Sequence, residues 1–292
     1  MIVVAGGTGT LGTRLVPRLA RAGHVVRVLT RDPARARHLA GLRVEVVRGD
    51  VRDPAQVAQA VRGAGMVISA VHGFVGPGRV SPATVDRAGN ANLIGAATRV
   101  GAAFILVSVA GAAPDHPIGL FRAKRAAENM LRASGLPWTI VRATAFMETW
   151  AAIMSRMLQS SGKIVVFGRG DNPVNFVSAT DVAALIEHAV TDPGLRGQVL
   201  EIGGPDNLTF NQVATIRQET TGHHAPVRHI PRLALQAMAW LTAAIKPALA
   251  RQARAALVMD TLDMIFDSTP TRQAFPGLPD TGMPSAIKEL LA

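Results

Sequence analysis

The sequence predicts an α/β protein, a doubly wound parallel sheet of the Rossmann-like kind with a small C-terminal substrate lobe. Three observations lead there. Short apolar runs alternate with amphipathic stretches of helical period up to residue 142, the pattern of a parallel sheet covered by helices on both faces. The first run passes directly into a glycine-rich turn and a helix. Beyond residue 142 the rhythm loosens into turn-rich and alanine-rich sequence.

Residues 2–5, Ile-Val-Val-Ala, are too few to be told from helix by periodicity, but glycines close them and they read as a buried parallel strand. The turn is Gly6-Gly7-Thr8-Gly9-Thr10-Leu11-Gly12. Glycines at 6, 9 and 12, and equally at 7, 9 and 12, permit a tight bend, close approach of backbone amides to a pyrophosphate, and tight helix-on-strand packing. The next helix carries Leu11, Leu15, Leu19 and Ala22 at helical spacing, with Arg14, Arg18 and Arg21 turned outward and Gly23 ending it. Strand, glycines, helix and second strand within about 30 residues point to a dinucleotide, with Gly6, Gly7, Thr8, Gly9, Thr10, Leu11 and Gly12 as its phosphate loop.

The second strand, 25–29, ends at Thr30-Arg31. A carboxylate there would accept from a ribose 2′-OH and repel a 2′-phosphate. The guanidinium of Arg31 suits a phosphate, so NADP(H) is favoured, while Asp32 beside it keeps NAD(H) open. A solvated loop charge is the alternative reading of Arg31. Residues 44–48 form strand three, closed by Gly49-Asp50. Asp50, or the backbone of Val51, is placed to meet an adenine edge, and a plain turn former is the alternative for Asp50. Asp53 caps and Pro54 opens the helix 55–61. Strand four is 66–71, a helix covers 90–100, strand five is 104–109, a helix covers 119–134 and strand six is 138–142. Ligands of such sheets lie beyond the carboxyl ends of the strands. That directs attention to Asp50, to 69–72 with Ala70 as a cofactor-binding candidate, to 108–111 and to 143–146.

On the helix 119–134, Leu120, Lys124, Ala127 and Leu131 share one stripe, while Arg125, Glu128 and Arg132 face away. A lysine within an apolar stripe needs a polar or anionic partner, for which a nicotinamide ribose is the natural candidate; a lysine snorkelling at the sheet's edge is the alternative.

The lobe begins with a helix at 147–158, a strand at 163–167 and turn formers at 168–175. Ser178 or Thr180 caps a helix at 181–190, a strand covers 199–202, and Gly203-Gly204-Pro205 turns toward Thr209, a cap for 210–220. The tail from Pro231 is helical, apolar and broken at Pro247; its Met, Leu and Trp residues read as core, substrate-pocket wall or subunit contact rather than as a membrane anchor. The division is therefore 1–146 as the NAD(P)-binding domain, completed by 176–202, with 147–175 and 203–292 as the substrate lobe.

Of the 292 residues, 31 are basic and 20 acidic, a net charge of +11, yet the arginines are scattered and aromatics are only 4%. No basic run is interleaved with stacking side chains, so a surface that attracts anionic cofactors is preferred to a nucleic-acid site. The absence of cysteine excludes disulfides, thiol catalysis and Cys-based zinc sites. With no secretory signal at the first strand, the expected location is cytoplasmic. Residues 233–245, the longest apolar stretch, are too short for a bilayer span and are interrupted by Gln236 and Thr242. The apolar C-terminal helices suit a homodimer contact.

Over almost its whole length the chain resembles an atypical short-chain dehydrogenase/reductase of the NmrA-like group of NAD(P)-binding proteins. The resemblance rests on the loop from Gly6 to Gly12, Leu106-Val-Ser108-Val, Lys124-Arg-Ala-Ala-Glu128, Ser134-Gly-Leu-Pro-Trp-Thr-Ile-Val-Arg142, Asp181-Val-Ala, and Gly203-Gly204-Pro205 followed by Leu208-Thr209-Phe210. It implies an oxidoreductase acting on a small molecule, with Lys124 and Ser108 as catalytic candidates. In such enzymes a tyrosine four residues ahead of the lysine exchanges the substrate proton. Here that position is Leu120 and the chain has no tyrosine, which excludes that mechanism under any alignment. Ala143 stands where the family often has proline. Three outcomes remain open. Lys124 acts as general acid or base, as isoflavone-reductase-like proteins imply; or a quinone-like or flavin-like acceptor takes its proton from solvent, His72 or His116; or the protein turns nothing over and reports cofactor level to a regulatory protein partner.

Overall fold

The computed structural model describes residues 1–76 and 78–291. The chain divides into two compact units, Met1–Ala143 with Val182–Glu201, and Thr144–Asp181 with the residues from Ile202 onward. The first contains β1 (Ile2–Ala5), α1 (Gly12–Arg21), β2 (Val26–Thr30), β3 (Val44–Arg48), α2 (Pro54–Val61) and β4 (Met66–Ser69). It continues through α3 (Ala88–Val100), β5 (Ala103–Val109), α4 (Gly119–Arg132) and β6 (Trp138–Ala143). The chain then forms β7 (Ala145–Phe146), α5 (Met147–Ser161), β8 (Ile164–Phe167), β9 (Val174–Val177), α6 (Ala179–Thr191) and β10 (Gln198–Ile202). It ends with β11 (Asn207–Leu208), α7 (Phe210–Thr221), β12 (Val227–Ile230), α8 (Arg232–Leu241), α9 (Pro247–Met259), α10 (Thr269–Ala274) and α11 (Met283–Leu291).

The main sheet has seven strands in the order β10-β6-β5-β4-β1-β2-β3. The pairs from β3 to β6 are parallel, and Ala5 lies level with Leu29 on one side and Ser69 on the other. Central strands with helices on both faces must be apolar throughout, which is why β1 and β4 are buried at every position, whereas β3 at the edge is half exposed. Chain order reverses between β1 and β4, the switch point at whose strand carboxyl ends sheets of this kind bind their ligands.

Two short helices were not foreseen. A 3₁₀ helix over Pro33–Leu39 follows β2, with Asp32 as its cap, accepting from the Ala34 amide. A π-helical turn, Pro82–Arg87, precedes α3 and is started by a reciprocal capping box between Ser81 and Thr84. A search for apolar residues at 3.6-residue period does not detect a π turn, in which the faces rotate out of step. Caps expected at Asp53 and Thr209 are present: Asp53 accepts from the Ala55 and Gln56 amides, and Thr209 exchanges bonds with Gln212.

In the second unit β9 pairs with β7 and β11, and β8 with β12. Its core holds Phe176, Phe210, Met147 and Val213, with Trp150 edge-on to Phe210 at 4.7 Å. Buried Glu148 accepts from Ser178 Oγ at 2.8 Å and from the Ala179 amide, fixing the start of α6.

The β1–α1 turn needs its glycines for different reasons. Gly6 adopts a φ of +89°, and a Cβ there would lie 2.5 Å from the Ala70 carbonyl oxygen. A Cβ on Gly12 would lie 2.4 Å from backbone atoms of Gly6 and Gly7, whereas one on Gly9 would meet nothing nearer than 3.4 Å. Gly12→Ala should therefore cost about 1–3 kcal/mol in chemical denaturation, and Gly9→Ala should change stability by less than about 0.5 kcal/mol while weakening dinucleotide binding; equal stability losses would refute the assignment.

Candidate functional site

The phosphate loop fits a dinucleotide. No protein acceptor among the described residues takes the amides of Thr10 and Leu11 at the start of α1. Donors left open at a helix N-terminus are suited to an anion, and the space beside Gly9 lets a pyrophosphate approach. Around this loop Thr8 Oγ1 lies 3.3 Å from Thr30 Oγ1, and Arg35 Nη2 donates to the Thr8 carbonyl at 3.1 Å. Arg31 and Arg35 are both exposed. Sequence reading passed over Arg35, because the 3₁₀ turn that folds it back over the loop gives no periodic signal.

Asp50 forms a turn. Its Oδ1 accepts from the Arg52 amide at 2.9 Å, and both carboxylate oxygens accept from the Arg52 guanidinium, the nearest at 2.6 Å. The bond from Arg52 chiefly holds its pKa below the usual carboxylate value, with a smaller contribution from the charge of Arg31. A shallow pocket of about 520 Å³ adjoins it, lined by Arg52, Gln56, Arg79 and Thr84 among others. The Val51 carbonyl accepts from Asn92 Nδ2 at 2.9 Å. Ala70 donates to the Ala5 carbonyl at 2.8 Å and lies against Gly6, so the loops after β1 and β4 are held together.

Lys124 is 4% exposed and its ammonium is engaged in three directions. Nζ donates to the carbonyls of Val71 at 2.8 Å and Val107 at 2.9 Å and lies 3.1 Å from Asp86 Oδ1. Asp86, fully buried on the π turn, also accepts from the Gly73 amide at 2.8 Å. Asn90 extends this network, donating to the Asp86 carbonyl and accepting from Ser69 Oγ, both at 2.6 Å. Asp86 had not been singled out in the sequence. Its signal was an acidic residue four positions ahead of Asn90 in a stretch otherwise suited to burial.

Ser108 belongs to a second network. Its hydroxyl donates to Glu128 Oε1 at 2.6 Å, and Arg142 grips the same carboxylate at 2.9 and 2.7 Å while reaching Glu201 at 3.0 Å. Glu128 is fully buried, which corrects the expectation that it faces away. The stripe of α4 is wider than apolar spacing indicates, because β5 and β6 offer Ser108 and Arg142 as partners on the flank. Arg125 and Arg132, expected outward too, lean over the same carboxylate. Burial raises the Glu128 pKa, but the bonds from Arg142 and Ser108 outweigh it and hold the group below its ordinary value.

Neither histidine touches these networks by a hydrogen bond. His116 stacks on Phe121 at 4.0 Å, and its Nδ1 accepts from the Ile118 amide. His72, between the two clamped backbone groups of Val71 and Gly73, is solvent-exposed.

The model of a family described as NAD(P)H-binding matches residues 6–193, more than half of the chain. The chain belongs to this NAD(P)H-binding family. An NAD(P)H azoreductase of Xenophilus azovorans is 32% identical over 232 residues, covering 79% of this chain and 76% of that protein. Quinone oxidoreductase 2 of Escherichia coli is 25% identical over 293 residues, covering 99% and 98%. Among solved structures, an NADPH-dependent quinone oxidoreductase of Escherichia coli complexed with NADPH superposes with a TM-score of 0.78 at 23% identity over 100% of both chains, a likeness of fold. The NmrA-like resemblance read from the motifs agrees with this membership, and the protein is an oxidoreductase of the NAD(P)H-binding kind.

The depressed pKa of Glu128 predicts a pH dependence. A carboxyl group held below its ordinary value of 4.5 adds stability that is present above that value and lost as pH falls through the depressed one. Glu128→Gln should therefore flatten the acid limb of a denaturation-against-pH curve below 4.5; an unchanged acid limb would contradict the pairing.

Proposed function

We propose that this protein reduces small, electron-poor acceptors of the quinone or azo class with NADPH, and that no side chain donates the proton. The observation that carries this reading is the engagement of Lys124. With two carbonyls and Asp86 around its ammonium, the lysine cannot serve a substrate without giving up a bond that holds the sheet's rim. Its role here is to fix the backbone at Val71 and Val107. The commitment of Ser108 to Glu128 and the absence of tyrosine support the same reading. A quinone suits such a site because hydride addition yields a hydroquinone anion that water protonates. A dinucleotide held by the loop from Gly6 to Gly12 would supply that hydride from its nicotinamide ring. The azoreductase and quinone oxidoreductase among the relatives are consistent with this acceptor class.

Preference for NADPH rests on the end of β2. Two exposed guanidiniums, Arg31 and Arg35, flank the loop, while the Asp32 carboxylate is turned to cap the 3₁₀ helix. The phosphate contacts fall to the loop from Gly6 to Gly12, and the adenine edge to Asp50 and Val51. Ala70 borders the same crevice. The cytoplasm, where reduced dinucleotide is regenerated, is the compartment this reading requires. Calorimetric titration with NADPH and NADH side by side tests the assignment. NADPH should bind more tightly, Arg31→Ala should weaken NADPH about tenfold or more, as for loss of a charge-assisted bond, and NADH affinity should stay unchanged. Equal affinities untouched by Arg31→Ala would overturn the preference.

A further inference from the structure

The helix α8 is apolar around its whole circumference, since Gln236 is the one polar side chain between Arg232 and Thr242. It packs against α9 and buries Leu235 and Ala239. The opposite stripe, at helical spacing, is Leu233, Ala237, Trp240 and Leu241, and it faces solvent. Leu233 and Trp240 are each 78% exposed, Leu241 62%, and Ile245 in the following turn 81%. Of the expected roles for these tail residues, core does not hold for this face. Large apolar side chains exposed in one row mark a surface that something covers.

Charge identifies the cover. Between Glu219 and Asp260 the sequence contains no acidic residue, while Arg228, Arg232, Lys246, Arg251 and Arg254 all lie there. Arg232 is neutralised by Asp260. Arg228, Lys246 and Arg254 are exposed. Lys246 follows exposed Ile245 directly, so a second copy meeting this face would bring that cation into the contact with no acidic residue of 220–259 to offset it. An anionic bilayer interface answers both features: acyl chains receive Leu233, Leu241 and Ile245, the headgroup region suits the Trp240 indole, and lipid phosphates balance the cations. A ten-residue helix can lie in such an interface, and among the described residues no helix is long and apolar enough to cross a membrane.

We propose that the α8–α9 hairpin seats this protein peripherally on an anionic membrane surface. Flotation of the full chain with phosphatidylcholine vesicles, with and without phosphatidylglycerol, at low and high salt, tests it. The protein should float with the anionic vesicles at low salt and be released at high salt. Trp240→Ser with Ile245→Ser should lower the bound fraction about tenfold or more, and its melting temperature should match the parent because both positions are exposed. Should that variant melt early, Lys246→Glu with Arg254→Glu tests the same surface through its charge and should also abolish flotation. No flotation with anionic vesicles, or flotation that both variants retain, overturns the proposal. So does a dimer in sedimentation velocity that the first variant dissolves, which would assign the face to a second copy.

Discussion

A lysine charge buried against an aspartate at the rim of a parallel sheet sets the terms for the rest of the first unit. Removing either partner would leave the other charge without compensation in an apolar setting, at a cost of about 3–5 kcal/mol. The pair is therefore held by everything around it. Lys124 binds the carbonyls of Val71, just past the end of β4, and of Val107 within β5, and Asp86 binds the Gly73 amide two residues beyond Val71. The backbone from Val71 to Gly73 is thus fastened at both ends, with His72 displayed between. That segment leaves β4 beside the glycine loop, whose Gly6 is pressed against Ala70. The π turn that carries Asp86 places it for this contact, in keeping with the tendency of such turns to occur at functional sites.

The second network has the same logic with the signs exchanged. Glu128 is the buried charge, and Arg142, Arg125 and Arg132 gather around it while Ser108 donates its hydroxyl. The two side chains singled out as catalytic candidates, Lys124 and Ser108, are each bound to a buried carboxylate. With no tyrosine in the chain, the proposed function leaves catalysis to orientation and charge, which suit acceptors that take a hydride readily.

The glycine turn was legible because its constraint is steric and local: only glycine tolerates the backbone at Gly6 and the crowding at Gly12. The strands were legible because a sheet covered on both faces demands unbroken apolar runs, and the caps at Asp53 and Thr209 because the cap, the turn and the helix are contiguous. Glu128 was misread because its partners come from β5 and β6, and helical spacing alone reports the apolar stripe but not a buried polar flank. Asp86 was missed because a π turn scrambles the period, and Arg35 because the 3₁₀ turn that returns it to Thr8 has no period to find. In α8 the sequence is apolar on every side, so nothing in it tells the packed face from the exposed one.

Hydride transfer without a proton donor in the protein is most directly tested by following NADPH oxidation with a quinone acceptor, using 4-deuterated NADPH in one series and deuterated solvent in another. Transfer to the acceptor one for one, slowed by deuterium on the cofactor and barely affected by deuterated solvent, is the result predicted. A large solvent isotope effect would point to an acid in the protein, and NADPH that binds but is oxidised by no quinone or azo acceptor would contradict the reductase and leave a protein that senses its cofactor.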